Sequence, residues 1–248
     1  MADARLVDLL ARSERLLVFT GAGISTASGI PDFRGPDGVW KRRQPVYYGD
    51  FLASEDKRVE YWEYALEGWE AFRDAAPNDC HLAIARLARA GKVIATVTQN
   101  IDGLHQLATG DAGPVIEVHG TNRATACVSC GKRAEPAPAM AFFREHRRTP
   151  RCECGAPLKL ATISFGQALD PASMDQAIDA AHGADAVLSL GSTLSVYPAA
   201  EIPLLAARRG APYAVVNRGE TEHDRIATFK IEGDVVSIVP DAVRAVLD

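Results

Sequence analysis

Four of the five cysteines in this 248-residue chain have the spacing of metal ligands. They form two close pairs, Cys127-x-x-Cys130 and, after 21 intervening residues, Cys152-x-Cys154. Two short thiolate pairs separated by such a loop can wrap one tetrahedral Zn²⁺. Four thiolates leave no coordination position for water, so we expect this zinc to be structural.

A zinc ribbon can also bind nucleic acid, and the segment around the cysteines contains several basic residues. These are scattered along the sequence without interleaved aromatic residues, and the whole chain has a formal net charge of −5. Non-specific DNA affinity comes mainly from Lys and Arg on phosphates, so both features argue against nucleic acid as a partner. The basic residues concerned are Lys132, Arg133, Arg144, Arg147, Arg148 and Arg151.

His119 has a sequence position suited to proton transfer. It directly follows an apolar run, Val115–Val118, that predicts a short buried strand. A histidine at a strand end can exchange a proton near neutral pH, although a single histidine is often only a structural polar group. Cys80 and His81 are neighbours on a predicted helix, where their side chains point about 100° apart. We therefore expect these two residues to pack rather than to form a thiolate–imidazole pair.

A glycine-bearing turn, Gly21–Gly23, follows the first predicted strand, Leu16–Phe19. Glycine accepts φ > 0 and has no Cβ to keep the backbone away from a pyrophosphate, so this turn suits a dinucleotide. An ordinary strand-to-helix turn can contain the same residues. Thr26 stands where the dehydrogenase fingerprint has its third glycine, and no second strand ending in an acid follows within about 20 residues. A dinucleotide bound here would not be bound in the usual dehydrogenase manner.

Polar residues also follow the second predicted strand, Lys92–Thr98. Gln99, Asn100 and Asp102 lie at its carboxyl end, where parallel sheets bind ligands. Asn100 or Asp102 could equally cap the helix that follows. These residues by themselves leave both interpretations open.

The hydrophobic pattern predicts the elements that position these residues. An amphipathic helix is expected at Ala2–Ser13, further strands at Asp185–Leu190 and Tyr213–Val216, and a closing helix at Val235–Leu247. The aromatic-rich helical run Arg58–Phe72 is expected to form the core of a small helical module rather than a binding wall.

The composition, 47% hydrophobic and 24% charged, suits one sizeable core plus a smaller module. No apolar run reaches the ~18 residues that span a bilayer, and the amino terminus lacks a signal-peptide core. We expect a cytoplasmic protein with no membrane partner, whose cysteines form no disulfides.

Several segments carry uncommon residue types in a fixed order. Residues 21–35 read G-A-G-I-S-T-A-S-G-I-P-D-F-R-G, residues 99–105 read Q-N-I-D-G-L-H, and residues 118–120 read V-H-G, with the cysteine pairs after them. Over nearly its whole length the chain resembles the sirtuins, the NAD-dependent protein deacylases.

The resemblance implies an α/β fold, namely a doubly wound parallel-sheet (Rossmann-like) NAD-binding domain with a small inserted domain. The inserted domain would consist of a helical module and a zinc ribbon. We predict the NAD-binding domain at 1–35, 78–120 and 160–248, the helical module at 36–77 and the zinc-ribbon module at 121–159.

The resemblance also implies an enzyme, an NAD-dependent protein-lysine deacetylase that produces deacylated lysine, nicotinamide and O-acetyl-ADP-ribose. Its partners would be NAD as co-substrate and acetylated protein or peptide substrates, with Zn²⁺ as a structural ion on Cys127, Cys130, Cys152 and Cys154. His119 would be the general base, and Asn100 would also be catalytic. The cofactor-binding residues implied are Gly21, Ala22, Gly23, Thr26, Phe33, Arg34, Gln99, Asn100, Ile101, Asp102, Gly191, Ser192, Thr193, Asn217, Arg218 and Val235.

The segment around residues 160–165 would offer a backbone edge to the extended substrate peptide. The common sirtuin form has a bulky residue at the position of Ser164 and a glutamate at that of Gln167, so the peptide preference stays open. The substrate-binding residues implied are Ile163, Phe165, Gly166 and Val196.

The acyl group removed is expected to be acetyl or another neutral group. Sirtuins that remove succinyl or malonyl groups carry a Tyr-x-x-Arg pair in the helical module. Here Tyr61 and Tyr64 are followed three residues later by Tyr64 and Glu67, and Glu67 would repel a carboxylate.

Two other functions would use the same loops. One is an NAD-dependent protein mono-ADP-ribosyltransferase, and the other is a non-catalytic NAD-sensing or zinc-ribbon adaptor. The presence of both His119 and Asn100 argues against the adaptor.

Overall fold

The structure is a computed structural model that describes residues 2–32 and 38–248. Phe33 and Arg34, two of the predicted cofactor residues, lie outside the described residues. Within the described ranges, nine strands form two sheets. In chain order they are β1 (Leu16–Thr20), β2 (Val93–Thr98), β3 (Val115–Glu117), β4 (Gly120–Cys127), β5 (Arg133–Ala134), β6 (Leu158–Thr162), β7 (Ala186–Leu190), β8 (Tyr213–Asn217) and β9 (Phe229–Glu232).

The α-helices of the described residues include every helix that the sequence pattern predicts. None of these helices combines the length and the apolar composition that a membrane span needs. In chain order they are α1 (Ala4–Arg12), α2 (Val39–Arg42), α3 (Tyr48–Ala53), α4 (Glu55–Asp74), α5 (Asp79–Arg89), α6 (Leu104–Thr109), α7 (Pro136–His146), α8 (Pro171–Gly183), α9 (Glu201–Ala207) and α10 (Val235–Leu247).

The larger sheet has the strand order β3-β2-β1-β7-β8-β9, and its paired strands are all parallel. The chain starts in the middle at β1, builds one half through β2 and β3, and then returns to build the other half from β7. The strand order therefore reverses between β1 and β7, and such a switch point is where doubly wound sheets bind ligands at the carboxyl ends of their strands.

Helices cover both faces of this sheet. One hydrophobic core joins α1, α5 and α10 to the sheet through residues such as Leu10, Ile84 and Val239. A second core on the opposite face joins α8 and α9 through residues such as Ala177 and Ile202. All five residues of β1 are buried, as expected of a central parallel strand with helices on both sides.

The smaller sheet, with the order β5-β4-β6, is antiparallel and forms the frame of the cysteine-bearing module. The predicted boundary at 159/160 falls inside β6, whose residues pair with β4.

The helical module does not have the separate core that we expected. Trp62 of α4 is fully buried against Phe143 of α7, with ring centroids 6.2 Å apart. Its indole nitrogen donates a hydrogen bond to the carbonyl oxygen of Leu158 at 3.1 Å. The two inserted modules therefore share one core, because a helix of this length buries its apolar side against the nearest available apolar surface.

Candidate active site

Two glycine turns meet at the switch point between β1 and β7. The amide of Gly23 donates a hydrogen bond to the carbonyl oxygen of Gly191 at 2.8 Å, and the amide of Gly21 donates to that of Leu190 at 3.0 Å. A Cβ on Gly23 would lie 2.8 Å from the Gly191 Cα, and Gly191 itself has a φ of +59°. The backbones touch directly, so any side chain at these positions would separate the turns.

These turns open into a large cleft of about 1650 Å³. Most of the predicted cofactor residues line this single cleft, together with the predicted general base and all four predicted substrate residues. The predicted residues found there are Gly21, Ala22, Gly23, Thr26, Gln99, Asn100, Ile101, His119, Ile163, Phe165, Gly166, Gly191, Ser192, Thr193, Val196, Asn217, Arg218 and Val235.

A buried polar network backs the cleft. The Asn100 amide nitrogen donates to Ser25 Oγ at 3.1 Å, and Ser25 Oγ donates to Asp102 Oδ2 at 2.8 Å. The other carboxylate oxygen of Asp102 accepts the Leu104 amide at 2.9 Å, at the start of α6. Asp102 therefore accepts the first amide of α6 from the position before the N-cap residue Gly103, and it also orients Asn100 through Ser25.

Asp102 is not among the residues that line the cleft. It lies behind the wall and is connected to Asn100 through Ser25, and its contact with the cofactor stays a prediction. Ser25 was missed by the sequence reasoning. The available signal was a hydroxyl residue two positions after Gly23 in a turn already identified as a cofactor turn.

Two buried histidines lie near this network. The rings of His81 and His105 are 4.9 Å apart, and His105 Nε2 is 2.9 Å from the Thr20 hydroxyl. Burial lowers the pKa of His81 to about 4 and holds the pKa of His105 well below its ordinary value. Both imidazoles are neutral near pH 7 and add no positive charge beside Asp102. His81 packs, as expected, and also caps α5 with Asn78.

His119 is half-buried and is held from two sides. Its Nδ1 is 3.0 Å from the carbonyl oxygen of Gln99, and its own carbonyl accepts the Ile163 amide at 2.8 Å. A carbonyl only accepts hydrogen bonds, so Nδ1 carries the proton and the lone pair of the ring lies on Nε2. This tautomer can take up a proton at Nε2, as a general base must.

Gly120 follows His119 in a conformation that suits only glycine. Its φ is +72°, and a Cβ there would lie 2.1 Å from the carbonyl oxygen of Ala161. The backbone of β6 therefore passes directly against the residue after His119. Two residues before His119, burial raises the pKa of Glu117 to about 7.

The predicted substrate segment connects the cleft to the inserted modules. The Tyr48 amide donates to the Phe165 carbonyl at 2.9 Å, and the rings of Tyr47 and Phe165 are 5.9 Å apart. Gly166 has a φ of +79°, so the chain turns sharply there. The segment is thus held between the main sheet and the helical module.

The aromatic face of α4 lines the cleft, contrary to our expectation that it would form only a module core. Tyr61, Tyr64, Trp69 and Phe72 all contribute to the cleft wall. The helix is long enough to bury Trp62 on one side while its other side faces the main sheet across the cleft.

Glu67 does not present an uncompensated negative charge to the cleft. Arg43 binds its carboxylate with two guanidinium nitrogens, at 2.7 and 3.0 Å. The same guanidinium lies 4.5 Å from the centroid of the Tyr64 ring. The expected repulsion of an acyl carboxylate by Glu67 is therefore weaker than the sequence suggested. The preference for a neutral acyl group stays a prediction that depends on the absent Tyr-x-x-Arg pair.

The four clustered cysteines fit a zinc ion. Their sulfur atoms all lie within 4.8 Å of one another, and the separations include 3.5 Å for Cys127–Cys154, 3.7 Å for Cys130–Cys152 and 3.8 Å for Cys130–Cys154. A tetrahedral ion with bonds of ~2.3 Å requires sulfur separations of about 3.8 Å. Each sulfur is thus placed for a closed, four-thiolate site.

Comparison with known proteins assigns the family. The model of the Sir2 family matches residues 21–198. A protein of Rhodopseudomonas palustris named NAD-dependent protein deacetylase is 42% identical over 232 residues, which are 93% of this chain and 92% of that protein. One of the same name from Sulfolobus acidocaldarius is 37% identical over 96% of this chain and 93% of its own length.

Solved structures of Sir2 proteins are similar to this chain over nearly its whole length. A Sir2 protein with a p53 peptide and NAD⁺ is similar with a TM-score of 0.87 and 36% identity, over 98% of each chain. A Sir2 variant with a deacetylated p53 peptide and 3′-O-acetyl-ADP-ribose is similar with a TM-score of 0.89 and 38% identity, over 100% of this chain and 98% of that one. The chain belongs to the Sir2 family, and both the resemblance and the fold class predicted from the sequence are confirmed.

Proposed function

We propose that this chain is an NAD-dependent protein-lysine deacetylase. The observation that carries the proposal is the position of His119, whose imidazole is held by the Gln99 carbonyl with Nε2 as the basic nitrogen. It lies in one cleft with the two glycine turns and the substrate segment. The names and bound molecules of the similar proteins support the same conclusion.

The glycine turns suit the pyrophosphate of NAD. Gly21, Gly23 and Gly191 let the two turns lie in direct backbone contact, and we assign the pyrophosphate to the backbone of these turns. Gln99 Nε2 donates to Ser192 Oγ at 2.9 Å and so fixes a hydroxyl group beside these turns. We assign the adenosine end of the cofactor to Asn217 and its neighbours after β8. When bound, NAD supplies an electrophilic ribose carbon with nicotinamide as its leaving group.

The network behind the cleft suits the nicotinamide amide. Asn100 is 5% exposed, and its amide is already oriented by Ser25 and Asp102. A polar group that is fixed before binding loses little freedom when the ligand arrives. Ile101, which also lines the cleft, supplies an apolar wall beside this amide.

His119 is assigned as the general base. Its Nε2 accepts a proton from a ribose hydroxyl, and the Gln99 carbonyl stabilises the imidazolium through Nδ1–H. The acetyl-lysine reaches this point between the apolar side chains of Ile163, Phe165 and Val196. The peptide backbone would pair with the edge near Gly166.

The zinc ion is assigned a structural role. It would hold the two cysteine pairs together, and the module they belong to supplies α7 and one wall of the shared core around Trp62. The division into a domain of 1–35, 78–120 and 160–248 with modules at 36–77 and 121–159 remains our proposal, and a cytoplasmic location stays a prediction.

Nicotinamide release tests the proposed function. The assay compares release from NAD with and without an acetyl-lysine peptide, for wild type, His119→Ala and the matched control His182→Ala. His182 is an exposed histidine on α8 that does not line the cleft. We expect peptide-dependent release and deacetylation in wild type and in the control, and a loss of about 10²–10⁴-fold in His119→Ala.

Two outcomes would contradict the proposal. If NAD labels protein with ADP-ribose independently of His119, the chain is an ADP-ribosyltransferase. If NAD binds and no acetyl peptide is turned over, the NAD-sensing function is favoured instead.

A further inference from the structure

Lys159 is a buried cation for which the described part of the chain provides no carboxylate. The residue is 3% exposed and lies on β6, next to the substrate segment. Its ammonium nitrogen is 2.5 Å from the Thr162 carbonyl oxygen, 3.3 Å from that of Leu160 and 3.4 Å from Gln167 Oε1. The ring of Tyr61 faces it at 5.7 Å. Every partner is a neutral acceptor or an aromatic ring.

Such an arrangement is costly for folding. An ammonium group moved from water into an apolar interior loses solvation that neutral acceptors restore only in part. Burial accordingly lowers the pKa of Lys159 to about 8. A methionine of similar length would avoid this cost, so stability alone gives no reason for a lysine at this position.

Gln167 connects Lys159 to the substrate segment. Its side-chain oxygen accepts hydrogen bonds from Lys159 Nζ at 3.4 Å and from the backbone amide of Ser164 at 3.1 Å. The backbone amide of Gln167 donates to the Ser164 carbonyl oxygen at 3.0 Å. These bonds close a four-residue turn over residues 164–167. At its other end the segment is held by the hydrogen bond from the Ile163 amide to the His119 carbonyl.

We propose that Lys159 is a positioning residue for the peptide substrate, and that it acts through Gln167. The ammonium fixes the turn at 164–167, so that the backbone edge near Gly166 is ordered before the peptide binds. Ordering a backbone segment costs conformational entropy, and a segment that is already ordered avoids this cost on binding. The inference rests on the proposed function, since it assigns Lys159 to the same peptide site.

Peptide affinity of Lys159→Met tests this role. The matched control is Lys57→Met, which removes an exposed ammonium on α4 that pairs with Glu60. Binding of a fluorescent acetyl-lysine peptide is measured by anisotropy, and steady-state rates give kcat and both KM values. We expect about tenfold weaker peptide binding and a matching rise in peptide KM, the effect of about one residue left unordered. The kcat, the KM for NAD and the Lys57→Met values should stay within about twofold.

A merely structural role predicts a different pattern. Loss of a structural residue lowers the melting temperature and weakens NAD and peptide together. Removal of an uncompensated buried charge leaves the melting temperature unchanged or raises it. Unchanged peptide affinity in Lys159→Met, or a parallel rise in both KM values, would overturn the proposal.

Gln167→Leu provides a second variant in case Lys159→Met does not fold. It removes the same link from the side of the turn, so the single and double variants should show the same loss of peptide affinity. Fully additive losses would mean that the two residues do not act together and would also overturn the proposal. If wild type turns over no acetyl peptide, the proposed function fails. If wild type turns over the peptide normally and both variants keep its peptide affinity, the role of Lys159 is overturned and the proposed function stands.

Discussion

Gly191→Ala tests whether direct backbone contact between the two glycine turns forms the cofactor site. A Cβ at position 191 would lie 2.6 Å from the Ile24 nitrogen and 2.7 Å from the Gly23 carbonyl carbon. An ordinary contact begins near 3.4 Å, so the turns would have to separate by about 0.8 Å. The atoms in the way belong to the backbone, so they cannot rotate aside as a flexible side chain would.

The cost has two parts. A left-handed φ of +59° in a residue with a Cβ costs roughly 1–2 kcal/mol. Overpacking of the contact adds about 1–3 kcal/mol. For a chain of this length each kcal/mol lowers the melting temperature by about 2–4 °C, so we expect a fall of roughly 4–20 °C. Displacement of the proposed phosphate-binding turn by nearly 1 Å should also raise the KM for NAD by about 10- to 100-fold.

Gly210→Ala is the matched control. Gly210 also has a positive φ, of +92°, but a Cβ there would meet nothing within 4 Å. This variant carries the backbone strain without the contact, so it should lower the melting temperature by only about 2–8 °C and leave the KM for NAD unchanged. Scanning fluorimetry with and without NAD, together with steady-state rates, separates the two effects. Equal melting temperatures and an unchanged KM for NAD in both variants would refute the reasoning.

Three further predictions concern the buried polar network around Ser25, the carboxyl group of Glu117 and the zinc site. Ser25→Ala disconnects Asn100 from Asp102 and should lower the rate of nicotinamide release about 10- to 100-fold, with peptide affinity unchanged. Steady-state rates and anisotropy measure the two quantities, and equal losses of rate and peptide affinity would contradict this prediction. Because burial raises the pKa of Glu117 from 4.5 to about 7, the native state keeps a proton that the unfolded chain releases, and wild type loses stability as pH rises through this window. Glu117→Gln should therefore melt at a higher temperature than wild type above pH 7 and at the same temperature below about pH 4.5, and parallel melting curves across this range would argue against it. Cys130→Ser should reduce bound zinc, measured by metal analysis, and lower the melting temperature; full activity without zinc would exclude a structural role.

The sequence identified the parts of the site that are local in the chain. The glycine turn after β1, the polar residues after β2 and His119 after β3 each occupy a few consecutive residues, and each was predicted at a strand end. The sequence also predicted the zinc site, because ligand type and short spacing largely define such a site. The resemblance extended these segments to a fold class and a family, and both are confirmed.

Tertiary structure alone decided which of these segments touch. Ser25 and Asp102 are 77 residues apart in sequence, and Gly191 meets Gly23 only because β7 lies beside β1 in the sheet. Neither hydrophobic periodicity nor a short motif contains the strand order, which depends on how helices cover the two faces of the sheet.

The same limit explains the residues that the sequence misassigned or missed. The aromatic side of α4 was expected to fill a module core, but it lines the cleft because α7 already supplies a buried surface for Trp62. Lys159 was not singled out, since a lysine in a strand is usually solvated. Its burial follows from the packing of β6 beneath α4, and only the folded chain brings its ammonium to Gln167. Residue type and short spacing thus determined the chemistry of this protein, whereas long-range packing decided which residues carry it out together.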